Sequence, residues 1–161
     1  MIQADASSTT NVSFSAAAAV IPLGVSSSRL IVAEPAHRWR FAVTERLEEL
    51  IRLPVGWDGY AAEPVSLLNA NFALRMLEAV CGPATPIPQI VPGSSADLQI
   101  EWHTPQGQVE LHVRRPNDVL AWRFSASTPA DGEELALTNN FIQVAGWIEE
   151  LELSGAATAA A

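Results

Sequence analysis

LQIEWHTPQGQVELHVRRPNDVLAWRF, residues 98–124, alternates apolar and polar side chains with a period of two. Leu98, Ile100 and Trp102 alternate with Gln99, Glu101 and His103. Val109, Leu111 and Val113 alternate with Glu110, His112 and Arg114. Such alternation is the mark of strands with one face on a core and one on water. The Thr104-Pro105-Gln106-Gly107 link makes the first two runs a hairpin, and Arg115-Pro116-Asn117-Asp118 is the next turn. The third run is read with Leu120, Trp122 and Phe124 inward and Ala121 and Arg123 outward. Pro86 to Pro92 is extended, and its prolines confine it to an edge or a linker. The expectation is an antiparallel β-meander of three to four strands, whose apolar face needs a cover.

Working outward, helical spacing supplies that cover. Between Trp39 and Leu53, Val43, Leu47, Leu50 and Ile51 recur on one side, opposite Glu45, Arg46, Glu48, Glu49 and Arg52. Pro54 ends this run. A second helix follows Pro64, with Ser66 as its N-cap and Leu68, Phe72, Met76 or Leu77, and Val80 as its apolar stripe. Gly82 and Pro83 stop it. Residues 129–134 read as a loop. Thr138 then caps a third helix carrying Phe141, Val144, Ala145, Ile148 and Leu151 inward. The fold class is α+β, with the meander packed against two N-terminal helices and one C-terminal helix. The expected organisation is a disordered leader at 1–36, a single domain at 37–153 and a disordered tail at 154–161.

Charge limits the partners. The chain has 161 residues, nine Arg and no Lys against 18 acids, for a net charge of −9. Six of those acids lie beyond Pro129 with no base among them: Asp131, Glu133, Glu134, Glu149, Glu150 and Glu152. Nucleic-acid backbones require basic clusters, so direct nucleic-acid binding is not expected. A protein partner with a basic surface fits better. The Ala16–Leu23 run is too short to span a bilayer, and no base precedes it as an export signal would require. Cys81 is alone and reads as an apolar filler, consistent with a reducing, cytoplasmic setting.

Between the first two helices stands Leu53-Pro54-Val55-Gly56-Trp57-Asp58-Gly59-Tyr60-Ala61-Ala62-Glu63-Pro64. Amphipathic patterning alone does not produce such a loop, and rigid aromatics on loops are favoured contacts. Trp57 has a structural reading, as a plug between the helices and the sheet. Tyr60 reads equally as a plug or as a displayed ring. With the later Leu98-Gln-Ile-Glu-Trp-His strand, the segment resembles a loosely defined family of small bacterial and phage proteins. Their pattern is LPxGWDGYGAxP followed by an hxhEW strand. The likeness covers about residues 53–124 and departs at Ala61, where the pattern often has Gly. The resemblance implies an antitoxin-like or accessory role.

Chemistry-bearing constellations are few. No phosphate loop, nucleophile elbow, Cys-x-x-Cys pair or His-Glu-x-x-His helix occurs, and no cofactor is implied. Asp58 reads as a turn former. Glu101, His103, Glu110 and His112 share the polar sheet face, and one register sets His103 beside Glu110 and Glu101 beside His112. That quartet is the basis of an alternative reading, a small metal-dependent hydrolase or nuclease-like enzyme. The leading expectation is a non-enzymatic, acidic protein-binding module, antitoxin-like or a phage-encoded inhibitor. Its contact residues would be Trp57, Asp58, Tyr60, Glu149 and Glu150. A structural or virion-associated homo-oligomer is the third reading.

Overall fold

A computed structural model describes residues 37–126 and 128–159. The expected leader therefore lies outside the described residues, as do the last two residues of the expected tail. The order is α1 (Arg38–Ile51), α2 (Leu67–Val80), β1 (Gln89–Pro92), β2 (Leu98–Thr104), β3 (Gly107–Arg115), β4 (Asp118–Ser125), β5 (Thr128–Leu137) and α3 (Ile142–Ala159). The strands form one antiparallel sheet in sequence order, with all three helices packed against a single face. The α+β class holds; the sheet has five strands rather than three or four.

α1 buries Trp39, Val43, Leu47 and Leu50, the spacing expected of a one-sided helix. Arg46 donates from Nε to the Ile90 carbonyl at 3.1 Å, which occupies part of the short edge strand β1. α2 is capped as expected, the Ser66 hydroxyl accepting the Asn69 amide at 3.1 Å. Of its expected stripe, Met76, Leu77 and Val80 are buried and Phe72 packs against the core, and Leu68 alone departs. Ala70, Ala73, Met76, Leu77 and Val80 are buried, whereas Leu68 is 72 % exposed. Two alanines on the inner face let the helix approach the sheet closely, and that steric allowance outweighs the bulk of Leu68. α3 begins at Ile142, where Asn140 Oδ1 accepts the Ile142 amide at 3.1 Å, in place of the expected cap at Thr138. It runs to Ala159, so the segment expected to be a tail is helical over 154–159.

The core joins Leu98, Ile100, Trp102, Val109, Leu111 and Val113 to these helices, as the alternation required. Trp102 donates its indole N–H to the Pro86 carbonyl at 2.9 Å.

On β4 the expected orientation is inverted. Val119 and Ala121 are buried, while Leu120, Trp122 and Phe124 lie on the open face outside the core. The turn at Pro116–Asn117 pairs Arg115 with Asp118. Continued unbroken, that register would set Leu120 opposite Val113 and Trp122 opposite Leu111, the inward arrangement expected from the alternation. A bulge between Val113 and Arg115 shifts the pairing by one residue, so Val113 meets Val119 and Leu111 meets Ala121. A one-residue slip reverses every side chain that follows.

β5 replaces the expected loop at 129–134. Pro129 is tolerated because the strand is at an edge. Leu135 and Leu137 pack against the core.

Asn69 ties these parts together. It is buried, and its Nδ2 donates to the carbonyls of Ala96 at 2.8 Å and Arg114 at 3.2 Å. Arg114 is the bulge residue. Replacing Asn69 with Ala removes this donor from both carbonyls, of which Ala96 keeps the Ser66 amide, and is expected to cost about 1–3 kcal/mol. Asn71→Ala, exposed on the same helix, is expected to stay within about 0.5 kcal/mol of wild type. Urea denaturation of both variants measures the difference.

Candidate functional site

The loop between α1 and α2 is built from its own backbone. Gly56 and Gly59 have φ of 78° and 85°, left-handed values that a side chain resists. The Gly56 amide donates to the Ala62 carbonyl at 2.8 Å and the Gly59 amide to the Gly56 carbonyl at 2.9 Å. Asp58 Oδ1 accepts the amides of Tyr60 at 2.8 Å and Ala62 at 3.2 Å, so its carboxylate shapes the turn as expected of an Asp before Gly. The loop's far end is stitched to the β1–β2 turn, with the Glu63 amide on the Ser94 carbonyl at 3.0 Å and the Ser66 amide on the Ala96 carbonyl at 3.1 Å.

Within this frame the two aromatics separate. Trp57 is half-buried and lies outside the core cluster; its indole N–H donates to the Glu63 carbonyl at 3.1 Å. It braces the loop itself rather than plugging the gap between helices and sheet. Tyr60 is 89 % exposed. Val55 on the same loop is exposed too.

Glu149 and Glu150 sit on α3, and described hydrogen bonds join Trp57, Asp58 and Tyr60 to other loop residues rather than to that helix. Both glutamates are exposed, but Glu150 is engaged, bonding Arg123 Nη1 at 3.0 Å. Arg123 also pairs with Glu133 at 3.1 Å, and its guanidinium carbon lies 5.0 Å above the Trp147 ring. This group borders a cleft of about 560 Å³ between the Pro105–Gly107 turn and α3. Sequence reading missed it because Arg123 was placed on the outer face.

The polar sheet face is also rearranged. Glu101 stands directly opposite Glu110, His103 opposite Gln108, and His112 opposite Gln99. The parity across the hairpin is the expected one, with the register shifted by two residues. Glu101 pairs along its own strand with His103 at 3.0 Å. His112 turns instead to Asp97, bonding it through Nε2. The four residues of the metal reading are thus drawn into separate pairs, and among the described residues no group of three or more His, Cys, Asp or Glu is arranged to hold a metal ion.

Asp97 was not singled out from the sequence, although Pro92-Gly93-Ser94-Ser95-Ala96-Asp97 is rich in turn formers. Burial pushes its carboxyl upward, but hydrogen bonds from His112, the Ser95 amide and its own amide outweigh this and hold it below the usual range. Cys81 is buried. Burial first, opposed by a Thr85 hydrogen bond and reinforced by the Glu152 charge, pushes its thiol up to about 12. At neutral pH it stays a thiol, as a filler would. Among the described residues no helix is long and apolar enough to cross a membrane.

Comparison of the chain with protein-family models, with curated proteins and with solved structures finds no match.

Two outcomes follow from this geometry. Asp58→Ala is expected to cost about 1 kcal/mol by releasing two loop amides. Tyr60→Ala, in contrast, is expected to change stability by less than about 0.5 kcal/mol, and thermal unfolding compares them. Asp97 stabilises the fold above the unfolded carboxyl value of about 3.9, and that contribution is lost as pH falls through the lower folded value. Denaturation midpoints measured from pH 7 down to about pH 3 should therefore fall less steeply for Asp97→Asn than for wild type.

Proposed function

We propose that this protein is a non-enzymatic binding module that docks a partner protein through the Trp57–Tyr60 loop, in the manner of an antitoxin or a phage-encoded inhibitor. The observation that carries this reading is Tyr60, 89 % exposed on a loop whose turn is fixed by Asp58 and two left-handed glycines. A phenol held out by a rigid backbone loses little freedom on binding, which is what makes such rings effective anchors. Trp57 contributes indirectly: its bond to the Glu63 carbonyl ties the two ends of the loop that carries Tyr60. The net charge of −9 favours a partner with a basic surface. The likeness of residues 53–124 to small bacterial and phage proteins of the GWDGY type points the same way.

Site-specific photocrosslinking tests this reading. Tyr60 is replaced by a photoreactive phenylalanine analogue, and exposed Glu45 on α1 carries the same analogue as a control. The expected result is a discrete adduct in host lysate from position 60 but not from 45. Excess wild-type protein should compete it away, and Tyr60→Ala should not. Identical adducts from both positions, or equal competition by Tyr60→Ala, would overturn the loop as the docking element.

A further inference from the structure

We infer that the open face of the sheet is a second docking surface, and that it takes an extended basic segment of a protein with a guanidinium or ammonium group seated on Trp122. Three observations on one cross-strand row carry this. First, Trp122 lies against Gly132 on β5: a Cβ built at Gly132 would overlap its indole nitrogen and adjacent ring carbons. The bare backbone is the bed that lets the ring lie across the sheet, leaving it half-exposed. Second, the residues paired with Trp122 are both carboxylates, Glu110 on β3 and Glu134 on β5. An indole flanked on both sides by carboxylates is a seat for a cation, attracted by the ring face and the charges together. Third, Glu110 is also directly opposite Glu101. Like charges in that position repel, and a cation laid across the row relieves them.

Charge complementarity selects the occupant. Arg114 and Arg115, at the end of the sheet, are both turned to Asp118, and His103 and His112 are paired with Glu101 and Asp97. The face therefore offers acid and aromatic surface, with Phe124, 40 % exposed, continuing the apolar strip beyond Trp122. Residues of an extended segment alternate sides, so every second side chain would meet the sheet. This surface is distinct from the Tyr60 loop and does not depend on it.

The test uses the full chain, ¹⁵N-labelled, with the Trp122 indole N–H assigned by Trp122→Phe. It is titrated with an alternating arginine–serine decapeptide and with the same peptide carrying citrulline for arginine. The expected result is a saturable shift of the Trp122 indole signal. Binding should weaken about tenfold for the citrulline peptide and about tenfold in Glu110→Gln/Glu134→Gln, and should be unchanged in Tyr60→Ala. Absence of a saturable shift at millimolar peptide overturns the proposal. So does equal binding of the citrulline peptide, which needs only wild-type protein. An equal shift with a neutral oligosaccharide, or an indole signal that depends on protein concentration without peptide, also overturns it, assigning the face to sugars or to a second copy of the chain.

Discussion

The fold turns on the backbone at Arg114. A two-residue turn hands β4 to β3 in one register, and a single extra residue on β3 changes it. An extra residue leaves backbone groups outside the ladder, and a shielded carbonyl without a donor is costly. Asn69 supplies the donor from the first turn of α2, so the helix cap and the bulge support each other. The same amide group holds the carbonyl of Ala96, a residue at φ 61° in the left-handed region. One buried side chain therefore fixes α2, the β1–β2 turn and the phase of the central sheet. That phase decides which face carries Trp122 and which carries Ala121 under the helices.

This explains why the sequence was legible in some places and opaque in others. Where burial is one-sided and uninterrupted, period alone is enough: Leu98 to Trp102, Val109 to Val113 and the buried face of α1 are all as the alternation and helical spacing require. On β4 both phases are apolar, since Val119 and Ala121 compete with Leu120, Trp122 and Phe124. Bulk favours the wrong set. The decision is made by a bulge without a glycine and by a long-range bond from Asn69, forty-five positions away from Arg114. Neither has a local signature. β5 was hidden for a related reason. Pro129, Asp131 and Gly132 are turn residues by propensity, but at an edge the proline loses no ladder bond, and Gly132 is needed to make room for Trp122. The need for Gly132 is visible only once Trp122 lies on the open face.

The loop at residues 53–64 was the more readable of the two surfaces, because its constraints are local. Asp58 before Gly59, Pro54 after a helix and Ser66 before another are each within a few positions of the groups they satisfy. Exposure was the part that locality left open. Asp58 holds the Tyr60 amide while the Trp57 indole bonds back to Glu63, and the phenol is 89 % exposed where the indole is half-buried. A bracing indole and a displayed phenol on one loop are a division of labour that composition alone does not distinguish from two core rings.

The acidic surplus resolves differently from its position in the chain. Six acids beyond Pro129 suggested a charged helix free to meet a partner, but several are used within the fold. Glu152 accepts from the Gly82 amide at 3.3 Å and from the Thr85 hydroxyl, closing the exit of α2. Glu133 and Glu150 hold Arg123 over Trp147, where the cation is covered on one side by the ring and neutralised on the other. Carboxylates committed in this way have less to offer a basic partner than their number implies. Those of the open sheet are placed differently: Glu110 and Glu134 flank an aromatic ring, and Glu110 faces another carboxylate. Strand pairing thus sets like charges together beside an aromatic ring, on the face to which the bulge at Arg114 turned Trp122.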